Sequence, residues 1–311
     1  MPLTRRHFLT HAAVAVGLAP LLPRRAWAAT RVSMGSMLID TLSDGHLVMP
    51  GDFILGGMAK DEAQAIRAEY GLPENRLIMP CNVTLLRDGP TAVLFDTGAG
   101  TGFQDSAGKL APAQLGLVFD GLGMMPEDIT HVVLTHAHPD HIGGLLDAAG
   151  AAAYPNADYM IGQAEFDFWT DPATAGRIGS ARAAMAEAIR AQLLALADQL
   201  ILLQDGQEVL PGVVAHLTSG HTPGHMAFEV RSGSESAMIL GDAINNHHVG
   251  FARPDWVSGS DMDGEMAATA RLRLLDRITA EQMHLTGFHL PGGGIGRAER
   301  RGAGYHFIAA G

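Results

Sequence analysis

Cysteine is almost absent from this sequence. Cys81 is the only cysteine in 311 residues, which excludes an intramolecular disulfide and a zinc site built from several thiolates. The residues before it, 77–80, are mostly apolar, so we expect the thiol to pack in the core. The alternative, a nucleophilic thiol, needs a neighbouring base that the surrounding sequence does not provide.

Basic residues are also scarce. The chain has 21 Lys and Arg against 33 Asp and Glu, which gives a formal net charge of −12. The nearest approach to a basic patch, residues 297–301, is short and contains Glu299. An acidic protein without a basic patch repels nucleic acid and anionic membrane surfaces, so we expect neither as a partner.

Long apolar runs are missing too, and the one near the N-terminus is short. Residues 12–22 are apolar but interrupted by glycine and proline; Arg5 and Arg6 precede them, and the small-residue stretch 26–28 follows. This order is typical of a cleavable export signal, and the paired arginines resemble the twin-arginine type. We therefore predict a signal over residues 1–28 and a periplasmic or secreted protein. An uncleaved anchor is the alternative.

Apolar residues are nevertheless plentiful overall, at 47% against 17% charged, as in folded globular proteins. Strand-like segments come in two batches, each mixed with helices, and no fixed-period repeat or Ser/Pro-rich linker separates them. This pattern predicts an α/β sandwich with the sheets inside, formed by a single domain over residues 29–311. Within it, we expect a strand over 31–42 that ends in a turn at 43–45, and a helix over 142–146.

Four metal-ligand side chains stand within six positions. His136, His138, Asp140 and His141 follow the apolar run 131–134. His136 and His138 are two apart on extended backbone and so point to the same side. A strand followed by a loop, and then by a helix that begins near His141, would direct all four at one point. Neutral imidazole and carboxylate are the ligands that zinc and similar divalent metals prefer, and the stretch therefore predicts a metal site.

Three further candidates each follow an apolar strand and have a glycine close by: His221, Asp242 and His289. Glycine beside a ligand lets the backbone approach a metal closely. A lone His or Asp after a strand is more often a capped or solvated residue, so each of the three alone is a weak signal. Together with the first cluster they make seven ligands, which is enough for two adjacent metal ions.

These motifs resemble those of a known family. Residues 135–141 (THAHPDH), 220–225 (GHTPGH), 241–242 (GD) and His289 are similar, in order, to the ligand motifs of the metallo-β-lactamase superfamily. The resemblance implies a four-layer αβ/βα sandwich with two divalent ions at one edge of its facing sheets. Zinc is the first expectation, and manganese, cobalt or iron would also be accepted. The implied ligands are His136, His138 and His221 for the first ion; Asp140, His141 and His289 for the second; and Asp242 as the bridge.

Other segments resemble the branch that contains methyl parathion hydrolase and related lactonases. They are residues 42–45, 96–100, 167–169 and 302–307. This resemblance implies a small-molecule hydrolase in which a hydroxide between the two metals attacks an ester, a lactone or a phosphotriester. Asp140 and Asp242 are then the catalytic carboxylates. Related enzymes often dimerise, and a homodimer with the loop 46–60 as its arm is one expectation.

Two residues are candidates for supporting the ligands. A ligating imidazole commonly donates its free N–H to a carboxylate or carbonyl, and Asp96 is our candidate for that acceptor. A plain turn at the end of a strand explains Asp96 equally well. His225 is the second candidate, against a simple loop hydrogen bond.

Four residues are candidates for the substrate pocket. Phe103 and Trp169 lie in stretches that resemble those supplying aromatic walls in methyl parathion hydrolase, and both would also suit core packing. Asn245 and His247 follow the bridging aspartate and are expected at the lip of the pocket, with a solvated loop as the alternative. The sequence shows no clear general acid, which favours substrates whose leaving group needs no protonation.

Other functions of the same fold stay open. The ligands suit a β-lactamase or a glyoxalase-type thioester hydrolase equally well. A diiron oxidoreductase is less favoured, because the oxygen-reducing branch carries a carboxylate where this chain has His138. A metal-binding protein without catalytic activity is the remaining alternative.

Overall fold

The computed structural model describes residues 29–100 and 115–310. The predicted export signal and Phe103 lie outside the described residues. Fourteen strands and eight α-helices are found in the described part, and no helix there is long and apolar enough to cross a bilayer.

The first sheet contains the N-terminal seven strands in chain order. Strands β1 to β4 pair antiparallel, and β4 to β7 pair parallel. Their bounds are β1 Ala29–Met34, β2 Met37–Pro50, β3 Arg76–Asp88, β4 Thr91–Phe95, β5 His131–Val133, β6 Asp158–Gly162 and β7 Leu200–Leu203.

The second sheet contains the remaining seven strands, also in chain order. All its neighbours pair antiparallel except β11 and β12, which are parallel. The bounds are β8 Glu208–Leu210, β9 Val213–Leu217, β10 Met226–Ser232, β11 Glu235–Ile239, β12 His284–Thr286, β13 Ile295–Arg301 and β14 Gly304–Ala309.

The helices lie between these strands in the chain. They are α1 Lys60–Tyr70, α2 Leu115–Leu122, α3 Pro139–Ile142, α4 Gln163–Thr170, α5 Thr174–Arg177, α6 Ser180–Ala195, α7 Val249–Ala252 and α8 Gly264–Ala280, with short 3₁₀ turns at Pro126–Asp128 and Ala197–Gln199.

The two sheets pack face to face, and helices cover their outer faces. Strand β4 shows the principle: Val93 and Phe95 point into the core between the sheets, whereas Leu94 points outward into the core with α2, α4 and α6. The ring of Phe95 lies 5.3 Å from that of Phe228 in the opposite sheet. Helix α8 covers the second sheet with Leu274 and other residues. Because β4 is buried on both faces, its sequence is a continuous apolar run rather than an alternating one. The protein has the four-layer α/β sandwich expected from its sequence.

The first predicted strand was wrong in its extent. Instead of one strand over 31–42, two strands form, and the chain turns between them at Gly35, whose φ is +55°. The predicted turn at 43–45 lies inside β2, where the register shifts between Ser43 and His46. Asp44 is buried there and accepts hydrogen bonds from the backbone N–H groups of Ala99 and Leu115. These bonds favour a bulge over a reversal of the chain.

The predicted helix over 142–146 was also wrong. Helix α3 ends at Ile142 because the next two residues are pressed against another loop. A Cβ on Gly143 would lie 2.0 Å from the carbonyl oxygen of Ala99, and one on Gly144 would lie 2.3 Å from that of Thr97. The chain therefore passes residues 97–99 at backbone contact distance, which a continuing helix could not do.

The segment 46–60, expected as a dimer arm, is folded onto its own chain. Residues 46–50 belong to β2, and Ile54, Leu55 and Met58 are buried against Ile66 of α1. The oligomeric state stays a prediction.

Candidate metal centre

The first cluster of ligand residues lies at the junction of β5 and α3. His138 keeps extended backbone (φ −66°, ψ 152°) as the residue that precedes the helix, and Pro139 occupies its first position, where its missing N–H costs nothing. Asp140 and His141 fall in the first turn. The expected order of strand, loop and helix is present, although the helix begins two residues before His141.

Three histidines bring their ring nitrogens together on one side of the site. Nδ1 of His138 lies 3.0 Å from Nε2 of His136 and 3.0 Å from Nε2 of His221. His221 comes from the loop between β9 and β10 of the other sheet, so the group spans both sheets. Nitrogens around a tetrahedral zinc are about 3.3 Å apart, which this spacing approaches. We call these residues the first trio.

A second group lies beside the first. Oδ2 of Asp140 is 3.2 Å from Nε2 of His289 and 3.6 Å from Nε2 of His141. We call these residues the second trio. Asp242, which follows β11, lies between the groups: its carboxylate oxygens are 3.4 Å from Nε2 of His221, His141 and His289 alike. All seven residues singled out from the sequence therefore converge at one place.

Two buried atoms in this cluster have no hydrogen-bond partner in the described structure. They are Nε2 of His141 and Oδ1 of Asp242, on residues that are 0% and 4% exposed. An unsatisfied buried polar atom costs about 1–3 kcal/mol, and a cation between them would accept lone pairs from both. The residues thus fit a divalent metal.

The electrostatics of the cluster agree with that fit. Burial, together with neighbouring histidines, holds the pKa of His136 well below its usual value and lowers the pKa of His138 to about 3. Both rings are therefore in the neutral form that binds metals. Burial opposes ionisation of Asp140, yet His141 and His289 outweigh it and lower its pKa to about 2. The carboxylates in turn overcome burial and raise the pKa of His141 to about 10, as expected where the surroundings favour a positive charge.

Two buried residues outside the seven ligands support the cluster. Asp96 accepts from Nδ1 of His141 at 2.8 Å and from the backbone N–H and hydroxyl of Thr135, also at 2.8 Å. His225 accepts the backbone N–H of Asp242 at 2.9 Å through Nε2, and its Nδ1 lies 2.8 Å from the hydroxyl of Thr218. The structure thus places both supporting candidates against ligand residues.

Three further neighbours of the ligands were missed in the sequence. Asp261 lies 3.0 Å from Nδ1 of His221 and also binds Arg271, and the carbonyl of Pro80 lies 2.7 Å from Nδ1 of His289. Cys81, expected in the core, is fully buried and has its thiol within 4.8 Å of donor atoms of Asp140 and His289. No local motif marks any of the three, because each reaches the site across a large sequence separation.

The pocket candidates have different surroundings. Trp169 is 1% exposed, and its ring centre lies 5.9 Å from that of His138, at the edge of the site. Asn245 is buried and donates to Oγ of Ser260 at 3.0 Å, and His247 packs edge-on against Tyr70 at 5.2 Å. These contacts of Asn245 and His247 are with residues outside both trios. Their role at the pocket lip stays a prediction.

Comparison with known proteins places this arrangement in a family. The profile of the metallo-beta-lactamase superfamily matches residues 77–282. The N-acyl homoserine lactonase of Bacillus cereus is 24% identical over 228 residues, which cover 68% of this chain and 81% of the lactonase. The uncharacterised protein YobT of Bacillus subtilis strain 168 is 30% identical over 128 residues, 41% of this chain and only 51% of YobT.

Two solved structures are similar over most of their length. One is AidC, a dizinc quorum-quenching lactonase in complex with the product N-hexanoyl-L-homoserine; the other is the hydrolase AbOPH of the beta-lactamase superfamily. Each has 25% sequence identity and a TM-score of 0.82, and each comparison covers 91% of this chain and 97% of the other. With the family profile spanning most of the chain and the sandwich fold in agreement, this protein belongs to the metallo-β-lactamase superfamily.

Proposed function

We propose that this protein is a binuclear metal-dependent hydrolase of small lactones and related esters. The observation that carries the proposal is the position of Asp242, whose carboxylate is 3.4 Å from His221 of the first trio and from His141 and His289 of the second. A carboxylate offers two oxygens and can be shared by two cations. The lactonases among the similar proteins support the substrate class.

In this proposal the first trio would hold one ion and the second trio the other, and Asp242 would be available to both. Bound divalent cations, with zinc as the first candidate, lower the pKa of a coordinated water toward about 7 and polarise the carbonyl under attack.

The chain's own residues prepare the site for that chemistry. Asp96 accepts the Nδ1 proton of His141, the carbonyl of Pro80 accepts that of His289, and Asp261 accepts that of His221. Each acceptor selects the tautomer whose Nε2 lone pair faces the centre of the site. Asp140 and Asp242 are ionised and can accept a hydrogen bond from the attacking water, which orients it toward the substrate.

Aryl esters and phosphotriesters with good leaving groups are the second candidate substrates, because their leaving groups need no proton. The contacts of the tyrosines favour this class. The hydroxyl of Tyr159 bonds to the backbone of Tyr154, that of Tyr305 donates to Asp276, and Tyr70 packs on His247. The fourth tyrosine of the chain, Tyr154, packs its ring against Phe119. None of these contacts is with a residue of either trio. Leaving-group protonation by tyrosine is therefore not part of the proposal.

The test is a panel of hydrolysis assays with metal content measured in parallel. Protein loaded with zinc, cobalt or manganese is assayed on N-hexanoyl homoserine lactone, p-nitrophenyl acetate and methyl paraoxon, with nitrocefin and S-lactoylglutathione for the alternative hydrolases. We expect two metal ions per chain and the highest kcat/KM on the lactone. A fully loaded protein that turns over none of the first three would refute the proposal, and so would a stoichiometry of one.

We also propose export to the periplasm, on the strength of the paired arginines and the apolar run in residues 1–28. Expression of the full chain in a host with and without twin-arginine translocation tests this. Mature protein in the periplasm of the competent host alone is expected, and cytoplasmic retention in both hosts would contradict it.

A further inference from the structure

Glu165 is a fully buried carboxylate in the first turn of α4, 0% exposed. It belongs to neither trio. Its two oxygens accept four hydrogen bonds. Oε1 accepts from the backbone N–H of Ala137 at 2.9 Å and from Nε1 of Trp169 at 2.7 Å. Oε2 accepts from the hydroxyl of Thr222 at 2.7 Å and from the backbone N–H of Gly224 at 3.0 Å.

The four donors share a relation to the first trio. Ala137 lies between His136 and His138, and Thr222 directly follows His221. The loop of His136 and His138 comes from the first sheet, and the loop of His221 comes from the second. One carboxylate therefore joins the two loops on which the trio depends.

Close packing strengthens this connection. A Cβ on Gly224 would lie 1.9 Å from the backbone nitrogen of Glu165, so the loop of His221 rests directly on the start of α4. The fourth donor, Trp169, packs edge-on against His138 with ring centres 5.9 Å apart. The carboxylate thus restrains the first trio in three ways: through the backbone of Ala137, through the backbone of Gly224, and through the ring of Trp169.

The second trio is held by other groups. Asp96 supports His141, and the carbonyl of Pro80 supports His289. None of the four donors to Glu165 is adjacent in sequence to His141 or His289. A change at Glu165 should therefore act on one of the two metal sites.

We propose that Glu165 is a positioning residue that sets the geometry of His136, His138 and His221 and thereby the affinity of the first metal ion. This inference rests on the proposed function, because it requires the trio to bind a metal. Charge-assisted hydrogen bonds to a carboxylate are stronger than neutral ones, and a buried carboxylate with four donors has its acceptor capacity filled. The residue holds the loops without touching the ion.

Glu165→Gln is the principal test, because it preserves shape and replaces one oxygen by an amide that donates. In one orientation the NH₂ group faces the N–H groups of Ala137 and Trp169, and in the other it faces the N–H of Gly224. Donors face each other in both orientations, so hydrogen bonds to the loops are lost. We expect the dissociation constant of the first metal to rise by about ten-fold or more, by analogy with other changes behind metal ligands, while that of the second stays within about two-fold. Chelator competition with Zn²⁺ and the visible spectrum of bound Co²⁺ measure both.

Reference variants identify which site is affected. His138→Ala removes a ligand of the first site, and His289→Ala removes one of the second, so the titration and spectrum of Glu165→Gln should match the former. Glu229→Gln is the matched control, since Glu229 is also a buried glutamate (4% exposed) but pairs with His216 and Arg277 on the outer face of the second sheet. It should lower the melting temperature and leave both metal affinities unchanged.

Thr222→Val provides a milder change in case Glu165→Gln does not fold. It removes one of four donors and should weaken the first site by a smaller factor. Three results would overturn the inference. Metal affinity could fall equally at both sites, it could fall only in proportion to the loss in melting temperature, or it could stay at the wild-type value in both Glu165→Gln and Thr222→Val. Wild-type protein that binds no divalent metal would instead refute the proposed function, and this is seen before any variant is compared.

Discussion

Oδ2 of Asp96 lies 2.8 Å from Nδ1 of His141, and both side chains are buried. Asp96 adopts φ +65°, an uncommon conformation for a residue other than glycine. Strain of this kind costs about 1–3 kcal/mol and persists where surrounding bonds enforce it. Here the bonds to His141 and Thr135 do so, which connects the end of β4 to the second trio.

Asp96→Asn should therefore weaken the second metal site. If the amide oxygen of asparagine accepts the hydrogen bond from His141, its NH₂ group faces the backbone N–H of Thr135. Two donors then face each other, and one hydrogen bond is lost. We expect a 10- to 100-fold loss of affinity at that site, measured by metal content after dialysis against graded chelator. Asp40→Asn is a control at another buried aspartate, which pairs with Arg31 and Arg87 in the first sheet; equal metal loss in both variants would contradict the assignment.

Removal of metal should lower the stability of the fold as well as abolish hydrolysis. The cation would satisfy Nε2 of His141 and Oδ1 of Asp242, two buried atoms that have no hydrogen-bond partner among residues 29–100 and 115–310. At a free metal concentration 100 times the dissociation constant, binding adds about 2.7 kcal/mol to the free energy of unfolding. Calorimetry with and without chelator should show a lower melting temperature for the stripped protein, restored by two equivalents of Zn²⁺. An unchanged melting temperature would argue against ligation by these atoms.

Gly143→Ala should destabilise the protein and disturb the site together. Its Cβ would lie 2.0 Å from the carbonyl oxygen of Ala99, so the loop after α3 must move, at a cost of about 1–3 kcal/mol. Gly176→Ala in α5 is the matched control. Its Cβ would meet no atom of the described part of the chain within 4 Å, and replacing glycine by alanine at a compatible position adds about 0.4–1 kcal/mol of stability. Urea unfolding should therefore give shifts of opposite sign. A neutral result for Gly143→Ala would refute the close approach.

Glu229→Gln should change how stability depends on pH. Burial opposes ionisation of Glu229, but hydrogen bonds from His216 and Arg277 outweigh it and hold the pKa of the carboxyl below its ordinary 4.5. A lowered pKa in the folded state contributes stability that is present above 4.5 and is lost as the pH falls through the folded value. Melting temperatures measured from pH 7 downward should fall less steeply for Glu229→Gln than for the wild type. Parallel curves would show that Glu229 contributes nothing to acid sensitivity.

Local sequence was enough for the features whose cause is local. The composition of residues 60–70 is helical and Gly71 follows it, and α1 spans these residues and ends at that glycine with φ +64°. Residues 91–95 are a short, mostly apolar run and form β4. The ligand candidates could also be listed, because each stands at the end of an apolar strand. The pattern of strands and helices predicted an α/β sandwich, and the resemblance to a known family added its four-layer arrangement.

Features that depend on contacts between residues distant in the chain could not be predicted from local sequence. Residues 43–45 form a bulge instead of the predicted turn, because Asp44 accepts hydrogen bonds from Ala99 and Leu115. Helix α3 ends at Ile142 because Gly143 and Gly144 contact the backbone of residues 97–99. Asp261 and Glu165 gained their positions behind the histidines only when loops from both sheets met at one edge. The side chains that can bind metal could be identified from the amino-acid sequence, since ligand chemistry is a property of each residue and its immediate neighbours. Their distances, their burial and the groups that hold them were decided by the packing of two sheets, because a buried donor or acceptor takes its partner from whatever backbone the fold brings within about 3 Å.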